Sequence, residues 1–128
     1  MSNYKQYSIG FLVFNGYHLQ DLMGPLEVLG SVKSLTDKPV HPRLVLLSET
    51  GGPIKDHLGF AIAPTETFEN SGNLDILVVP GGRLETILEN KEHPCLEFIR
   101  QQATKATYIL SICAGALLLA ACRCSEKS

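Results

Sequence analysis

No run of lysine and arginine occurs anywhere in the 128 residues, and 11 basic against 13 acidic side chains leave a formal charge of −2 and an isoelectric point near 6.0. A chain so balanced has no electrostatic footprint for a polyanion, so direct binding to nucleic acid is not expected. Nor is there an apolar stretch of bilayer length. The longest, Ile109–Cys122, is interrupted by Ser111 and Gly115 and falls short of the roughly 18 continuous residues that argue for a span. Ile9–Phe14 is too short for a secretory core, and no small-residue cleavage site follows it. These absences predict a soluble, cytoplasmic protein with no membrane partner, and four cysteines that are free thiols rather than a disulfide framework. Repeats, low-complexity tracts and an interdomain linker are lacking too, and 45% hydrophobic content suits one packed domain.

Metal and phosphate chemistry is equally short of ligands. His18, His41, His57 and His93 fall on predicted loops and element ends without a metal-spaced partner, which predicts surface or capping roles. Cys122-x-Cys124 is a single pair in a polar ending and a weak metal signal. No lysine-serine or lysine-threonine pair follows Gly81-Gly82, so that turn is not a phosphate loop. No cofactor or metal is expected.

What is present is an alternation of short apolar strands and helices. Tyr7–Phe14 is rich in β-branched and aromatic residues and ends at Asn15-Gly16, which predicts a buried strand entering a turn. Leu22, Leu26 and Leu29 recur at helical spacing, with Gly24-Pro25 placed near the helix start and the helix ending around Leu35. Arg43–Leu47 is a second strand, and Thr50-Gly51-Gly52-Pro53 leads towards a small hairpin or edge excursion reaching Phe60–Ala63. Asp75–Val79 is a third strand, closed by Pro80-Gly81-Gly82. Helices are predicted over Leu84–Glu89 and Pro94–Ala103, the second burying Leu96, Ile99 and Ala103, with Cys95 on its core side. Thr107–Leu110 is a fourth strand, and the Ala/Leu helix Ala114–Cys122 follows at once. Continuous apolar strands alternating with helices predict a doubly wound α/β fold, a mostly parallel sheet covered on both faces.

In Ser111-Ile112-Cys113-Ala114-Gly115, small residues flank a nucleophile-capable residue at a strand-to-helix junction, the context of a nucleophile elbow. Such a turn lifts a side chain to the carboxyl edge of the sheet, where open α/β sheets bind ligands. The following helix would stabilise a thiolate through its N-terminal N–H groups and dipole. A buried structural cysteine is the common alternative in an apolar run, and the local pattern leaves both open.

Three segments, Gln20-Asp21-Leu22-Met23-Gly24-Pro25-Leu26-Glu27-Val28-Leu29, Val78-Val79-Pro80-Gly81-Gly82 and Ser111-Ile112-Cys113-Ala114-Gly115-Ala116-Leu117-Leu118-Leu119-Ala120, in this order and spacing, resemble the ThiJ/PfpI superfamily of class I glutamine amidotransferase-like fold. The resemblance covers nearly the whole chain up to Ala121. It is strongest to the isonitrile hydratases and to the sensor domains of AraC-type regulators. It implies that Cys113 is the nucleophile and that Asp21 is the acidic residue against its sulfur, a proton shuttle in isonitrile hydration. A helix-start aspartate placed for capping alone is the competing explanation of Asp21. The resemblance further implies that the backbone N–H groups of Gly82 and Ala114 point at the reacting centre. Glu27, one turn into the first helix, either approaches the site or lies on a solvated face.

Two departures qualify the resemblance. Isonitrile hydratases typically carry threonine after the nucleophile, where this chain has Ala114, so a hydroxyl is missing. The family continues with further strands and helices, often with a histidine near the nucleophile, beyond the point where this chain ends at Ser128. The expected organisation is thus the N-terminal portion of a ThiJ/PfpI-like domain over 1–121 and a polar tail over 122–128. An apolar helix with little chain left to cover it predicts an exposed patch and a homodimeric, unstable or inactive product. The competing functions are an isonitrile hydratase-like lyase acting on a small molecule, a ligand-binding sensor domain, and a redox-sensing thiol.

Overall fold

The computed structural model describes residues 7–30, 43–112 and 114–126. Along the chain run β1 (Ser8–Leu12), α1 (Leu19–Gly30), β2 (Arg43–Ser48), β3 (Ile54–Lys55), β4 (Ala61–Ile62), β5 (Glu66–Thr67), β6 (Ile76–Val79), α2 (Glu85–Leu88), α3 (Pro94–Ala103), β7 (Tyr108–Ser111) and α4 (Gly115–Glu126). β1 and β6 are apolar on consecutive positions, and both of their faces are buried, as strands inside a parallel sheet must be. Five strands form one sheet in the order β5-β2-β1-β6-β7, with every neighbouring pair parallel. β3 and β4 form a separate antiparallel hairpin.

The order carries the functional information. The chain leaves β1 for β2 on one side, then crosses back to β6 on the other side of β1 and continues outward to β7. Right-handed crossovers running in opposite directions put α1 and α3 on opposite faces of the sheet. The reversal falls between β1 and β6, and the carboxyl ends of two such strands are the usual ligand position in open α/β sheets. The doubly wound parallel architecture expected from the sequence is the one present.

Packing fixes that edge of the sheet. Phe11, Leu12, Leu47, Leu77 and Val78 fill the middle of the sheet, and Leu96, Ile99 and Leu118 cover it from α3 and α4, all essentially inaccessible. Each such side chain contributes about 1.5–3 kcal/mol relative to exposure. Phe68 and Phe98 stack with ring centroids 4.4 Å apart. β7 is the outer strand on its side, and Tyr108, Leu110 and the neighbouring Leu117 of α4 are exposed.

Several boundaries differ from the sequence expectation for identifiable reasons. α1 begins at Leu19, so Pro25 lies inside the helix rather than at its start and brings no N–H to the ladder. The predicted end of that helix near Leu35 lies outside the described residues, as does His41. α3 spans the predicted residues, but Ala103 is exposed, and the buried stripe is Cys95, Leu96, Phe98, Ile99 and Gln102. β5 was not foreseen, since two residues, Glu66 and Thr67, show no periodicity. α4 continues to Glu126, and Cys122 is buried within it, its thiol 3.5 Å from the carbonyl oxygen of Leu96.

Two glycines respond differently to a methyl group. A Cβ on Gly115, the first residue of α4, would run into the backbone oxygen of Val79 and approach that of Pro80 at 2.9 Å. A Cβ on Gly24, within α1, would meet no other part of the fold within 4 Å, but Gly24 precedes Pro25, whose ring crowds a Cβ on a helical residue before it. Gly24→Ala is therefore expected to change stability by less than about 1 kcal/mol, the proline offsetting the gain in helix propensity. Gly115→Ala is expected to lower it by about 1–3 kcal/mol. Urea unfolding followed by circular dichroism measures both.

Candidate functional site at the strand-order reversal

The loop after β1 is built to approach the loop after β6. Gly16 adopts φ +93°, and the Tyr17 N–H donates to the Phe14 carbonyl at 3.0 Å, closing a tight turn. The chain then pairs antiparallel with the β6 loop across Tyr17 and Gly82. The His18 N–H donates to Gly81 O and the Arg83 N–H to Gly16 O, each at 3.0 Å. A Cβ on Gly82, at φ +148°, would lie 2.5 Å from Gly16 O and 2.6 Å from the Tyr17 Cα, so only glycine permits this approach.

Asp21 enters from the first turn of α1 and is buried to 7% exposure. Its Oδ2 accepts the Gly81 N–H at 3.0 Å, and its own N–H donates to His18 O at 3.0 Å. The Gly81 Cβ position lies 3.1 Å from Asp21 Oδ2, 3.0 Å from Ala114 N and 3.3 Å from Ala114 Cβ. Asp21, Gly81 and Ala114 thus converge on one point, where the loops after β1 and β6 meet the start of α4. At the end of β7, the Ile112 N–H donates to Val79 O and the Gly115 N–H to Ile112 O, both at 2.9 Å, giving a tight passage from strand to helix. Cys113, between Ile112 and Ala114 in sequence, is outside the described residues.

Of the predicted site residues, the structure brings Asp21 and Ala114 together and sets Gly82 against the backbone of Tyr17. Glu27 is on the exposed face of α1. Sequence reasoning missed Gly81, the glycine whose N–H holds the carboxylate; two adjacent glycines after a strand do not reveal which one faces the helix. For His18 and His57, given surface or capping roles, the sequence did not show that they meet. His18 Nδ1 lies 3.8 Å from Asp21 Oδ2, and the His18 ring meets that of His57 edge-on, with centroids 4.4 Å apart. The predicted capping role holds for His93, whose Nδ1 accepts the Cys95 N–H at the start of α3, at 3.1 Å.

Beside this point Tyr17 is fully buried, and burial, followed by the Asp56 carboxylate, pushes its hydroxyl above the ordinary range. Asp56 Oδ1 accepts the N–H groups of Leu58 and Phe60 at 3.1 and 2.7 Å, shaping the hairpin tip. A cavity of about 910 Å³ opens on the far side of the β1 loop, lined by Gly16, Asp56, His57, Arg83, His93 and Cys95 among others. Cys95 is buried at the start of α3. Burial and then the Glu49 carboxylate push its pKa up to about 12, outweighing its place at a helix N-terminus. Cys95 forms no disulfide. Among the described residues no three histidine, cysteine, aspartate or glutamate side chains are grouped to hold a metal, and no helix is long and apolar enough to cross a membrane.

A buried, backbone-anchored carboxylate beside the start of a helix, at the reversal of a parallel sheet, stands where doubly wound α/β folds commonly hold ligands. The chain belongs to the DJ-1/PfpI family, whose profile matches residues 7–127. It is 40% identical over 114 residues to isonitrile hydratase from Pseudomonas putida, covering 88% of this chain and 46% of that protein, so it spans about half the length of that relative. The fold is similar to that of a ThiJ/PfpI family protein from Pseudomonas syringae, with TM-score 0.79, 29% identity, and coverage of 92% of this chain and 46% of the other. A candidate transcriptional regulator from Vibrio parahaemolyticus shares the fold at TM-score 0.76 and 17% identity, over 96% of this chain and 64% of its own.

The Asp21 anchor is separable by substitution. Asp21→Asn keeps an acceptor for the Gly81 N–H and is expected to change stability by less than about 1 kcal/mol. Asp21→Leu strands that buried donor and costs about 1–3 kcal/mol. Denaturant titration checks the difference. Cys95, with its pKa raised to about 12, is expected to resist iodoacetamide at pH 8 in the native protein and to react once the chain is unfolded in urea, as read by peptide mass spectrometry.

Proposed function

We propose that this domain carries a cysteine-dependent site for hydrating isonitriles, with Cys113 as nucleophile and Asp21 as proton shuttle. The observation that carries this reading is the anchored carboxylate. Asp21 is held by the Gly81 N–H at 3.0 Å and faces the start of the helix that follows Cys113 in sequence. The 40% identity to an isonitrile hydratase supports the substrate class.

In this reading Asp21 takes the Cys113 thiol proton, and the thiolate forms a bond to the terminal isonitrile carbon. That carbon receives the proton back from Asp21, giving a thioimidate. Asp21 then removes a proton from water as the hydroxide adds to the same carbon, and passes it to the nitrogen. The C–S bond breaks, the hydroxyl proton returns to the sulfur, and the N-substituted formamide leaves with the atoms of one isonitrile and one water. Ala114 offers no hydroxyl, so water activation rests on Asp21 alone. A sensor role has fold likeness alone behind it, at 17% identity.

Incubation with an alkyl isonitrile and detection of the N-alkyl formamide by mass spectrometry tests the reading. Cys113→Ser is expected to abolish product, and Asp21→Asn to lower kcat on the order of 10²–10⁴-fold, the usual range for a general acid–base. Product formed equally by Cys113→Ser would overturn it. Absence of product from the native sequence, with selective peroxide oxidation of Cys113, would assign the thiol to redox sensing instead.

A further inference from the structure

The β3–β4 hairpin is packed on the core at its base and tied to the β1 loop at its tip. Ile54 of β3 is buried, and Ile62 of β4 packs against the same core. Ile54 pairs with Ile62 and Lys55 with Ala61, so Asp56 and Phe60 flank the turn His57-Leu58-Gly59. Gly59, at φ +94°, supplies the left-handed residue that such a loop uses, and its N–H donates to Asp56 O at 3.0 Å. Asp56 closes the loop from within. Its N–H donates to Phe60 O at 2.9 Å, and its Oδ1 accepts the Leu58 and Phe60 N–H groups at 3.1 and 2.7 Å. Asp56 is only 4% exposed, and its Oδ2 is buried with no hydrogen-bond partner. A carboxylate buried with one oxygen unpaired costs stability, so stability alone does not account for its place at the tip.

We propose that Asp56 is a positioning residue for Asp21, acting through the β1 loop. Tyr17 is the middle rung between them. It forms a parallel bridge with Asp56 on one side and an antiparallel bridge with Gly82 on the other. On the hairpin side the His57 N–H donates to Tyr17 O at 2.8 Å and the Gly16 N–H to Lys55 O at 2.9 Å. On the β6 side the Arg83 N–H donates to Gly16 O and the His18 N–H to Gly81 O, each at 3.0 Å. Gly81 in turn gives its own N–H to Asp21 Oδ2. A series of backbone bonds thus joins the turn that Asp56 closes to the donor that holds Asp21. With the turn closed, the His57 N–H is fixed towards Tyr17. With the Asp56 side chain truncated, the Leu58 and Phe60 N–H groups lose their acceptor, the turn loosens, and Tyr17 is held firmly along one edge only. His18 follows Tyr17 directly, so the bond to the Gly81 carbonyl slackens with it, and so does the hold of Gly81 on the carboxylate. The inference rests on the hydration reading in one respect, that Asp21 is the group at work; Asp56 itself touches no reacting atom.

Amide hydrogen exchange on the full chain, read by NMR, tests this role. In Asp56→Ala the protection factor of the Gly81 amide, taken as a ratio to that of the Leu12 amide in β1, is expected to fall about three- to tenfold, the worth of roughly one hydrogen bond. A purely structural loss would lower both amides together and leave the ratio unchanged. Asp56→Asn keeps an acceptor for both N–H groups and is expected to hold the ratio within about twofold of the native value. Asp56→Ser keeps a shorter acceptor for one of them and carries the test if the alanine variant does not fold, with an expected fall of about threefold. In hydration of an alkyl isonitrile, kcat of the truncated variants is expected to fall by the same factor as the ratio, with KM within about twofold. An unchanged ratio in the truncated variants overturns the proposal, and so does a loss in Asp56→Asn as large as that in Asp56→Ala. Exchange is measured without isonitrile, so failure of the positioning role and failure of the hydration reading are told apart.

Discussion

One glycine peptide, pinned from both sides, holds the candidate site together. Gly81 accepts the His18 N–H on its carbonyl and donates its own N–H to Asp21 Oδ2. The two bonds fasten the loop after β1 to the loop after β6 where strand order reverses, and everything near the site is referred to that joint. Tyr17 is buried beside it, the hairpin donates the His57 N–H to Tyr17 O, and the carboxylate is held near the start of α4. A charge-assisted bond to backbone N–H is among the stronger contacts available to a buried carboxylate, and the Gly81 N–H supplies one to Asp21.

Close approach imposes a second constraint, met by leaving out side chains. Gly81 leaves room between Asp21 and Ala114, Gly82 lets two loops pair at backbone distance, and Gly115 lets a helix begin against the carbonyls that end β6. The Cys95 thiol illustrates the opposite outcome. It too stands at a helix N-terminus, but burial and the Glu49 carboxylate push its pKa up to about 12.

Much of the architecture was legible because the relevant signals are local. β1 and β6 read as continuous apolar runs, and Pro94–Ala103 begins with a proline and keeps helical spacing. The family motifs marked Asp21, Gly82, Cys113 and Ala114 in one dimension. What escaped depends on contacts between distant segments. β5 exists only through its pairing with the end of β2. The choice between Gly81 and Gly82 as the partner of Asp21 is made by the turn that presents one N–H inward. His18 and His57 lack metal spacing, and only the fold of the hairpin onto the β1 loop brings their rings together. The start of α1 was misplaced because Gly24-Pro25 resembles a helix entry, whereas proline here is accommodated within the helix.

The anchoring bond between Gly81 and Asp21 joins residues 60 positions apart, and the strands flanking it pair only after long crossovers. Closing such loops costs chain entropy before any contact returns it, so parallel sheets of this kind gain their order late and cooperatively. No isolated helix or hairpin of this chain can hold the carboxylate in place. The joint at Gly81 exists only when β1, α1 and β6 have already found one another, so a partly folded chain has no diminished version of this site.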